Sequence, residues 1–345
     1  MKFKKLNLEY GMYKEARDHK DSKGNARPLS FSGYLELQDP SENYPGTKLD
    51  AFQRQLAARG LIVEGPRSIQ LGEFYDPDNI VLFPEFISRE VRAGMVLGRT
   101  QLMVSDIIAV STTIPTGAYN AAFLDMSQDF SHKEVAEGSD FPVLQITTAN
   151  KPITLKKYGF TLKESYEHRR RIQANKFAVF LRVVGQHLEL DRVELAVNVL
   201  INGNTGNSNA ATVDSISGLN YNNMIDFWAE FNPYEPNVLV APKAGITSIL
   251  KLTEFKDPQA GFNFQRTGDL VTPLGNMLKR HDTSQLSSKV LGVDAGMSLE
   301  LVEESGADMV EAESIIQNQT NDIVVSNVFG FAKMFADATH VWDYS

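Results

Sequence analysis

Residues 164–204, ESYEHRRRIQANKFAVFLRVVGQHLELDRVELAVNVLINGN, carry the strongest structural signal in the chain. No Pro or Gly interrupts them until Gly185, and good helix formers dominate. Phe177, Leu181, Val184, Leu188, Leu195 and Val199 keep one stripe at three-, four- and seven-residue steps, so the spacing predicts a single helix from Glu164 to Ile201. Asn202-Gly203-Asn204 ends it, because Gly and Asn tolerate the left-handed backbone at a helix C-terminus. A rod of that length spans about 57 Å, far more than an average globular helix.

Upstream, ITLKKYGFTLK (153–163) alternates apolar and polar residues as a strand does. Between Pro115 and Lys151 the chain is richer in Gly, Ser, Asp and Asn, which reads as a long two-stranded excursion with its tip near HKEVAEGSD (132–140). VSDIIAVSTTI (104–114) reads as strand, and Pro84 precedes a short helix bearing Phe86, Ile87 and Val91 with Gly94 near its end. From Glu64 to Asn79, Gly65-Pro66, Gly72 and Asp76-Pro77 mark an irregular connector and the best early boundary. PGTKLDAFQRQLAARGLI (45–62) reads as an amphipathic helix with Leu49, Phe52, Leu56 and Ala57 on one face and Gly60 as its stop. The segment up to Arg27 has no clear periodicity and is expected to be a mobile arm.

Downstream of the NGNTGNSNAA loop (202–211), short segments alternate. NMIDFWAEF (223–231), AGITSILKL (244–252) and MVEAESIIQN (309–318) read as helices, whereas VLVA (238–241), KVLGV (289–293) and SLELVEE (298–304) read as strands. The last stretch, DIVVSNVFGFAKMFADATHVWDY (322–344), is aromatic and strand-like.

A chain of 345 residues has room for two or three compact units, and 42% hydrophobic with 22% charged residues excludes wholesale disorder, collagen-like and coiled-coil chains. The net charge of −9 has the wrong sign for a general nucleic-acid binder. Residues 1–28 nevertheless carry a balance of +4, which leaves −13 on the remainder. The absence of cysteine excludes disulfides, thiolate metal sites and cysteine nucleophiles. No apolar run reaches the roughly 18–20 residues that span a bilayer, and the polar start lacks a signal-peptide apolar region, so no membrane association and a cytoplasmic place of synthesis are expected.

The search for chemistry finds little. Neither G-x-x-x-x-G-K-[ST] nor G-x-G-x-x-G occurs, and there is no H-E-x-x-H or G-x-S-x-G. The six histidines are scattered, and Lys279-Arg280-His281-Asp282 reads as a solvated surface turn. No catalytic residue, metal ligand or cofactor site is predicted. One dense cationic cluster, His168, Arg169, Arg170 and Arg171, falls in the first turns of the expected long helix, where the macrodipole disfavours positive charge. It reads either as a solvated face balanced by Glu164 and Glu167 or as a site facing an acidic neighbour or phosphate.

The order of these parts resembles the major capsid protein of tailed bacteriophages, with the Hong Kong 97-like or Johnson fold. The resemblance covers most of residues 80–345. LFPEFISREVRAG with QLMVSDIIAVSTTIP resembles the family's leading helix and first peripheral-domain strand, and VAEGSDFP lies where the extended E-loop carries its tip. KPITLKKYGFTLKES resembles the returning E-loop strand, LDRVELAVNVLINGNTG the end of the spine helix, and NVLVAPKAGITSILKL the first strand and helix of the axial domain.

The resemblance implies an α+β fold with an N-terminal extension and arm (1–79), the first part of a peripheral domain (80–115), an E-loop (116–161), a spine helix (162–203), an axial domain (204–320) and a returning peripheral strand (321–345). It implies no enzyme but a structural subunit that assembles into homo-hexamers and homo-pentamers of an icosahedral virion shell in the host cytoplasm. That shell encloses double-stranded DNA without sequence-specific binding, with scaffolding, portal and decoration proteins as further partners. A projecting hairpin cannot bury its apolar residues at home. The candidate intersubunit residues are therefore Phe123, Leu124, Phe130, Lys133, Glu134, Val135, Glu137, Phe141 and Val143, with His168 to Arg171 as a candidate charged contact. In cross-linked members a lysine follows Val-Ala-Glu of the E-loop, but here Gly138 does, so no autocatalytic Lys–Asn bond is expected. The alternatives are an encapsulin-type nanocompartment shell and an enzyme whose site is assembled from distant residues.

Overall fold

The computed structural model describes residues 3–20, 24, 28–114, 118–119, 122–124, 134, 146–148, 153–204, 209–256, 268–304, 309–315 and 317–345. The chain forms two compact units, one of Met1–Leu97, Lys157–Glu189 and Glu304–Val328, the other of Gly98–Lys156, Leu190–Glu303 and Phe329–Ser345. The helices are α1 (Gly11–Arg17), α2 (Phe31–Gln38), α3 (Ala51–Ala58), α4 (Phe83–Met95), α5 (Tyr166–Arg171), α6 (Ala174–Asn202), α7 (Tyr221–Ala229), α8 (Lys243–Ile249) and α9 (Thr253–Lys256). The strands before α6 are β1 (Ile108–Ile114), β2 (Ala118–Tyr119), β3 (Ala122–Leu124), β4 (Ile146–Thr148), β5 (Ile153–Thr154) and β6 (Lys156–Ser165). Those after it are β7 (Thr212–Ser215), β8 (Val238–Ala241), β9 (Met277–Arg280), β10 (Lys289–Val293), β11 (Leu299–Glu304), β12 (Met309–Ile315), β13 (Thr320–Lys333) and β14 (Thr339–Asp343).

In the first unit α4 starts with a proline in its first turn, where the missing N–H costs nothing. It buries Phe83, Phe86, Ile87 and Val91 against Phe177 and Leu181 of α6 and against Leu71 and Phe74. The two helices meet through glycine. A Cβ on Gly94 would lie 2.1 Å from the Arg182 carbonyl oxygen, and one on Gly185 would lie 2.0 Å from that of Val91. The segment from Glu64 to Asn79 is irregular, yet Leu71 and Phe74 are fully buried and both flanks belong to the same unit.

Three expectations need correction in this unit. The N-terminal segment is not a bare arm: it forms α1, and Leu6, Leu8, Met12 and Tyr13 pack on the core. Tyr13 stacks on Phe31 at 4.1 Å and donates to the Val81 carbonyl oxygen at 2.8 Å. These partners lie far along the chain, and two turns of helix are too short to show a period. Second, the long helix starts at Ala174 instead of Glu164. Glu164 and Ser165 end β6, and Ser165 caps α5 by accepting from the His168 amide at 3.2 Å. Residues 172–174 are then captured by 69–71: the Leu71 amide donates to Ile172 O at 3.0 Å, the Ala174 amide donates to Ile69 O at 2.9 Å, and Gln70 bridges Gln173. Third, MVEAESIIQN is not helical. Residues 309–315 form β12, which pairs antiparallel with β13 from Met309↔Ser326 to Ile315↔Thr320, and Gln319 turns the chain at a φ of 50°. Its Met, Glu and Ala favour helix locally, but a ladder along β13, which β6 also joins, overrides that preference.

In the second unit the order β7-β14-β10-β8-β9 makes a mixed sheet, antiparallel across β14-β10-β8 and parallel at both edges. All four residues of β8 are buried, as its continuous apolar run implies. Met224, Phe227 and Phe231 cover the sheet together with Trp342, and a Cβ on Gly292 would meet the Phe231 ring at 2.7 Å. From residue 190 onward α6 buries Val193, Ala196, Val197 and Leu200, while Leu195 and Val199 are only half-buried. The helix ends as its sequence implies: Gly203 has a φ of +76°, and its amide donates to Val199 O at 2.8 Å.

The stretch 279–282 is not a solvated turn. Lys279 and His281 are buried; the Lys279 ammonium meets Asp106 at 3.1 Å, and His281 Nε2 meets Glu194 at 2.7 Å. Only Arg280 and Asp282 face outward, as a pair.

Candidate assembly surfaces

In the second unit the expected hairpin begins as two short antiparallel ladders. β2 pairs with β5 (Ala118↔Thr154, Tyr119↔Ile153), and β3 pairs with β4 (Ala122↔Thr148, Phe123↔Thr147, Leu124↔Ile146). Between them lie residues 120–121 on one arm and 149–152 on the other, so the register shifts by two and the arms do not run as one continuous ladder.

The root of this hairpin is fixed. The Tyr119 hydroxyl donates to Glu300 Oε1 at 2.6 Å, Thr112 donates to the same oxygen, and Glu300 is buried on β11. Burial and then this bond push the Tyr119 hydroxyl above its ordinary range. Gly330 of β13 lets the root approach closely, since a Cβ there would touch Leu155 at 3.0 Å and Ile153 at 3.4 Å. Sequence reading missed this clamp. Glu300 and Tyr119 are 181 residues apart and neither belongs to a motif.

Of the candidate hairpin residues, Phe123 and Leu124 lie on β3, with their backbones paired to Thr147 and Ile146. Glu134 is exposed. Phe130, Lys133, Val135, Glu137, Phe141 and Val143 lie outside the described residues.

In the first unit the cationic cluster occupies the last turn of α5 instead of the first turns of the long helix. The macrodipole objection therefore reverses, because positive charge is favoured at a helix C-terminus. Glu164 does not balance the cluster from helical spacing, since it is buried on β6. His168, Arg170 and Arg171 are exposed, and the 4.0 Å pair of Arg171 with Glu167 is too solvated to hold either side chain in place. Arg169 differs: its guanidinium lies 3.9 Å over the Tyr75 ring and 4.7 Å over Tyr166.

A second surface on this unit was not legible as one. Val179, Phe180 and Val183 on α6 are 54%, 56% and 48% exposed. Alongside runs an open groove of about 450 Å³, lined by Val63, Glu64, Asn175, Lys176, Val179 and Arg182. The buried stripe of Phe177 and Leu181 masks this outer strip in a periodicity count, because α6 is apolar on both sides here. The second unit has its own exposed apolar pair, Ile225 and Trp228, one turn apart on α7.

Among the described residues no group of three or more His, Asp or Glu side chains could hold a metal ion. Nor is any described helix long and apolar enough to cross a membrane. The geometry instead offers a hairpin clamped at its root, an exposed apolar strip and an exposed cationic turn.

No family model matches the chain, and no curated protein matches it in sequence. Solved structures do resemble it, and the likeness is one of fold, a mixed α+β fold. The likeness that shows it is to the capsid of an empty GTA particle, at a TM-score of 0.51 and 12% identity over 72% of this chain and 91% of that one. Others are Mycobacterium phage Che8 (TM-score 0.49, 12% identity, 72% of this chain and 93% of that one) and a virus-like particle from Pyrococcus furiosus (0.48, 14%, 75% and 98%). At the level of the fold, the resemblance read from the sequence holds.

Proposed function

We propose that the chain is a major capsid protein of a tailed phage, a structural subunit with no catalytic role that associates with copies of itself to build a closed shell. The observation that carries this reading is the fold shared with the capsid of the GTA particle. Within it, the hairpin rooted at Tyr119 and Glu300 acts as the E-loop, α6 as the spine helix, and the sheet of β7, β8, β9, β10 and β14 with α7 and α8 as the axial domain. Hexamers and pentamers close an icosahedral head around double-stranded DNA in the host cytoplasm, and scaffolding and portal proteins direct closure. Contacts are non-covalent, because Gly138 follows Val135-Ala136-Glu137. The charge of −13 beyond residue 28 suits a wall that must not hold phosphates tightly.

The exposed apolar strip on α6 and the apolar pair on α7 call for covering, and a second copy is the partner that this reading supplies. Replacing residues 125–145 with a short Gly-Ser turn is expected to leave the melting temperature within a few degrees of wild type while abolishing closed particles in electron micrographs. Phe180→Asp, at a position already half in solvent, is expected to do the same by placing a charge where a neighbour must pack. Shells of normal size from both variants would contradict the assignment of these surfaces. Nucleic acid in particles purified from an infected host tests the cargo.

A further inference from the structure

The joint between β6 and α5 holds a buried charge cluster that none of the surfaces above uses. Glu164, next to last in β6, is 4% exposed, and neither carboxylate oxygen has a hydrogen-bond partner. Tyr75 faces it from the single-turn segment Leu71–Tyr75 with a hydroxyl that is also sealed from water and favours the ionised carboxyl. Arg169 faces it from α5, stacked on Tyr75 and Tyr166, with its Nε lacking a partner. From β13 the nearby acid, Asp322, is engaged by Lys163 at 3.4 Å. On α5 itself Glu167 and Arg171 meet in solvent.

A carboxylate sealed from water without hydrogen bonds is costly in its ionised form. Burial pushes Glu164 up to about 7, against the downward pull of Arg169 and, less, of Tyr75. The six residues of α5 are too few to persist as a helix unless they are held. They are held by the stack of Arg169 on Tyr75, beside Glu164, together with backbone bonds from the Tyr166 amide to Gln319 O and from the Leu71 amide to Ile172 O.

We propose that Glu164, Tyr75 and Arg169 form a proton-dependent latch: with the carboxyl neutral α5 stays closed on the Leu71–Tyr75 segment, and with it ionised the joint opens to let water reach Glu164. The latch lies where the chain passes from β6 into α6, so opening loosens that connection. It is independent of the capsid reading. In the open joint the carboxyl regains its ordinary value of 4.5, whereas in the closed joint it sits at about 7, so the closed state binds the extra proton between these values. Closure is therefore strongest below 4.5, weakens as pH rises to about 7, and is level above that.

Hydrogen exchange of the full chain, read by mass spectrometry over residues 166–172 from pH 4.5 to 8.5 and corrected for intrinsic rates, tests the latch. Protection is expected to fall on the order of a hundredfold up to pH 7 and then level off. Glu164→Gln, a neutral isostere of the closed form, is expected to stay protected throughout. Tyr75→Phe keeps the ring under Arg169 but removes the hydroxyl that faces the carboxyl and favours its ionised form, so the closed-state value rises and the fall is expected to continue above pH 7. A wild type without pH dependence, a Glu164→Gln profile that falls like wild type, or a Tyr75→Phe profile identical to wild type would overturn the proposal. If Glu164→Gln fails to fold, the Tyr75→Phe comparison decides.

Discussion

Gly185→Ala is expected to lower the melting temperature by roughly 5–10 °C, with Gly94→Ala close behind. In solvent either change would stabilise a helix by about 1 kcal/mol. Here the added methyl on Gly185 would lie 2.0 Å from the Val91 carbonyl oxygen, and that on Gly94 would lie 2.1 Å from the Arg182 carbonyl oxygen. Both obstacles are backbone, so no rotamer change relieves them and α4 must move away from α6. Parting the helices loosens Phe83 and Phe86 against Phe177 across the centre of the first unit. Overpacking costs about 1–3 kcal/mol where side chains can give, and more where they cannot. Because one separation accommodates both methyls, the double variant is expected to fall short of the sum of the singles. Gly11→Ala, at an exposed position of α1 with open space at its Cβ and an ordinary φ, is the control and is expected to leave the melt unchanged or raise it slightly. A Gly185→Ala melt that matches the control contradicts the packing described here.

The second large effect belongs to Arg54, which is 0% exposed on α3. Its guanidinium meets Asp39 at 3.3 Å and Glu36 at 3.5 Å, donates to Ser41 at 2.8 Å and to Leu49 O at 2.7 Å, also reaches the Asp39 carbonyl, and lies 4.7 Å over the Tyr44 ring. One side chain therefore ties α3 to the whole turn after α2. Arg54→Met keeps the aliphatic stem but leaves the Asp39 carboxylate buried and unpaired, for which a loss of about 3–5 kcal/mol is expected in urea denaturation. Adding Asp39→Asn should restore part of it, since the stranded charge disappears. A loss below about 1 kcal/mol in the single variant would show that the cluster is open to water.

The legible parts of the fold were those whose partners are implied by their own pattern. Phe52 and Leu56 mark the buried face of α3, Pro84 opens α4, β8 is apolar throughout, and Gly203 stops α6 where a left-handed residue is required. What stayed hidden depends on distant chain. α1 is held by Phe31 and Val81, the break before α6 is imposed by residues 69–71, and β12 exists because β13 offers it a ladder. Gly185 looked like a mere pause in a helical pattern and is in fact its closest contact.

The candidate surfaces divide in the same way. Alternation and turn residues marked the hairpin, and its arms pair as expected near the root, but a pattern of alternation gives faces and not partners, so the Tyr119–Glu300 clamp could not be read. The arginine cluster was visible as charge. Its place at the end of α5 instead of the start of α6 changed its electrostatics, and only Arg169 among its members is engaged by aromatic rings.

The central claim is self-association into a closed shell. Electron microscopy and light scattering on the purified full-length chain, alone and co-expressed with a candidate scaffolding protein, test it most directly. Closed particles or six-membered rings of uniform diameter are the predicted result. A chain that stays monomeric in both preparations across salt concentrations, with its melting transition intact, would contradict the account.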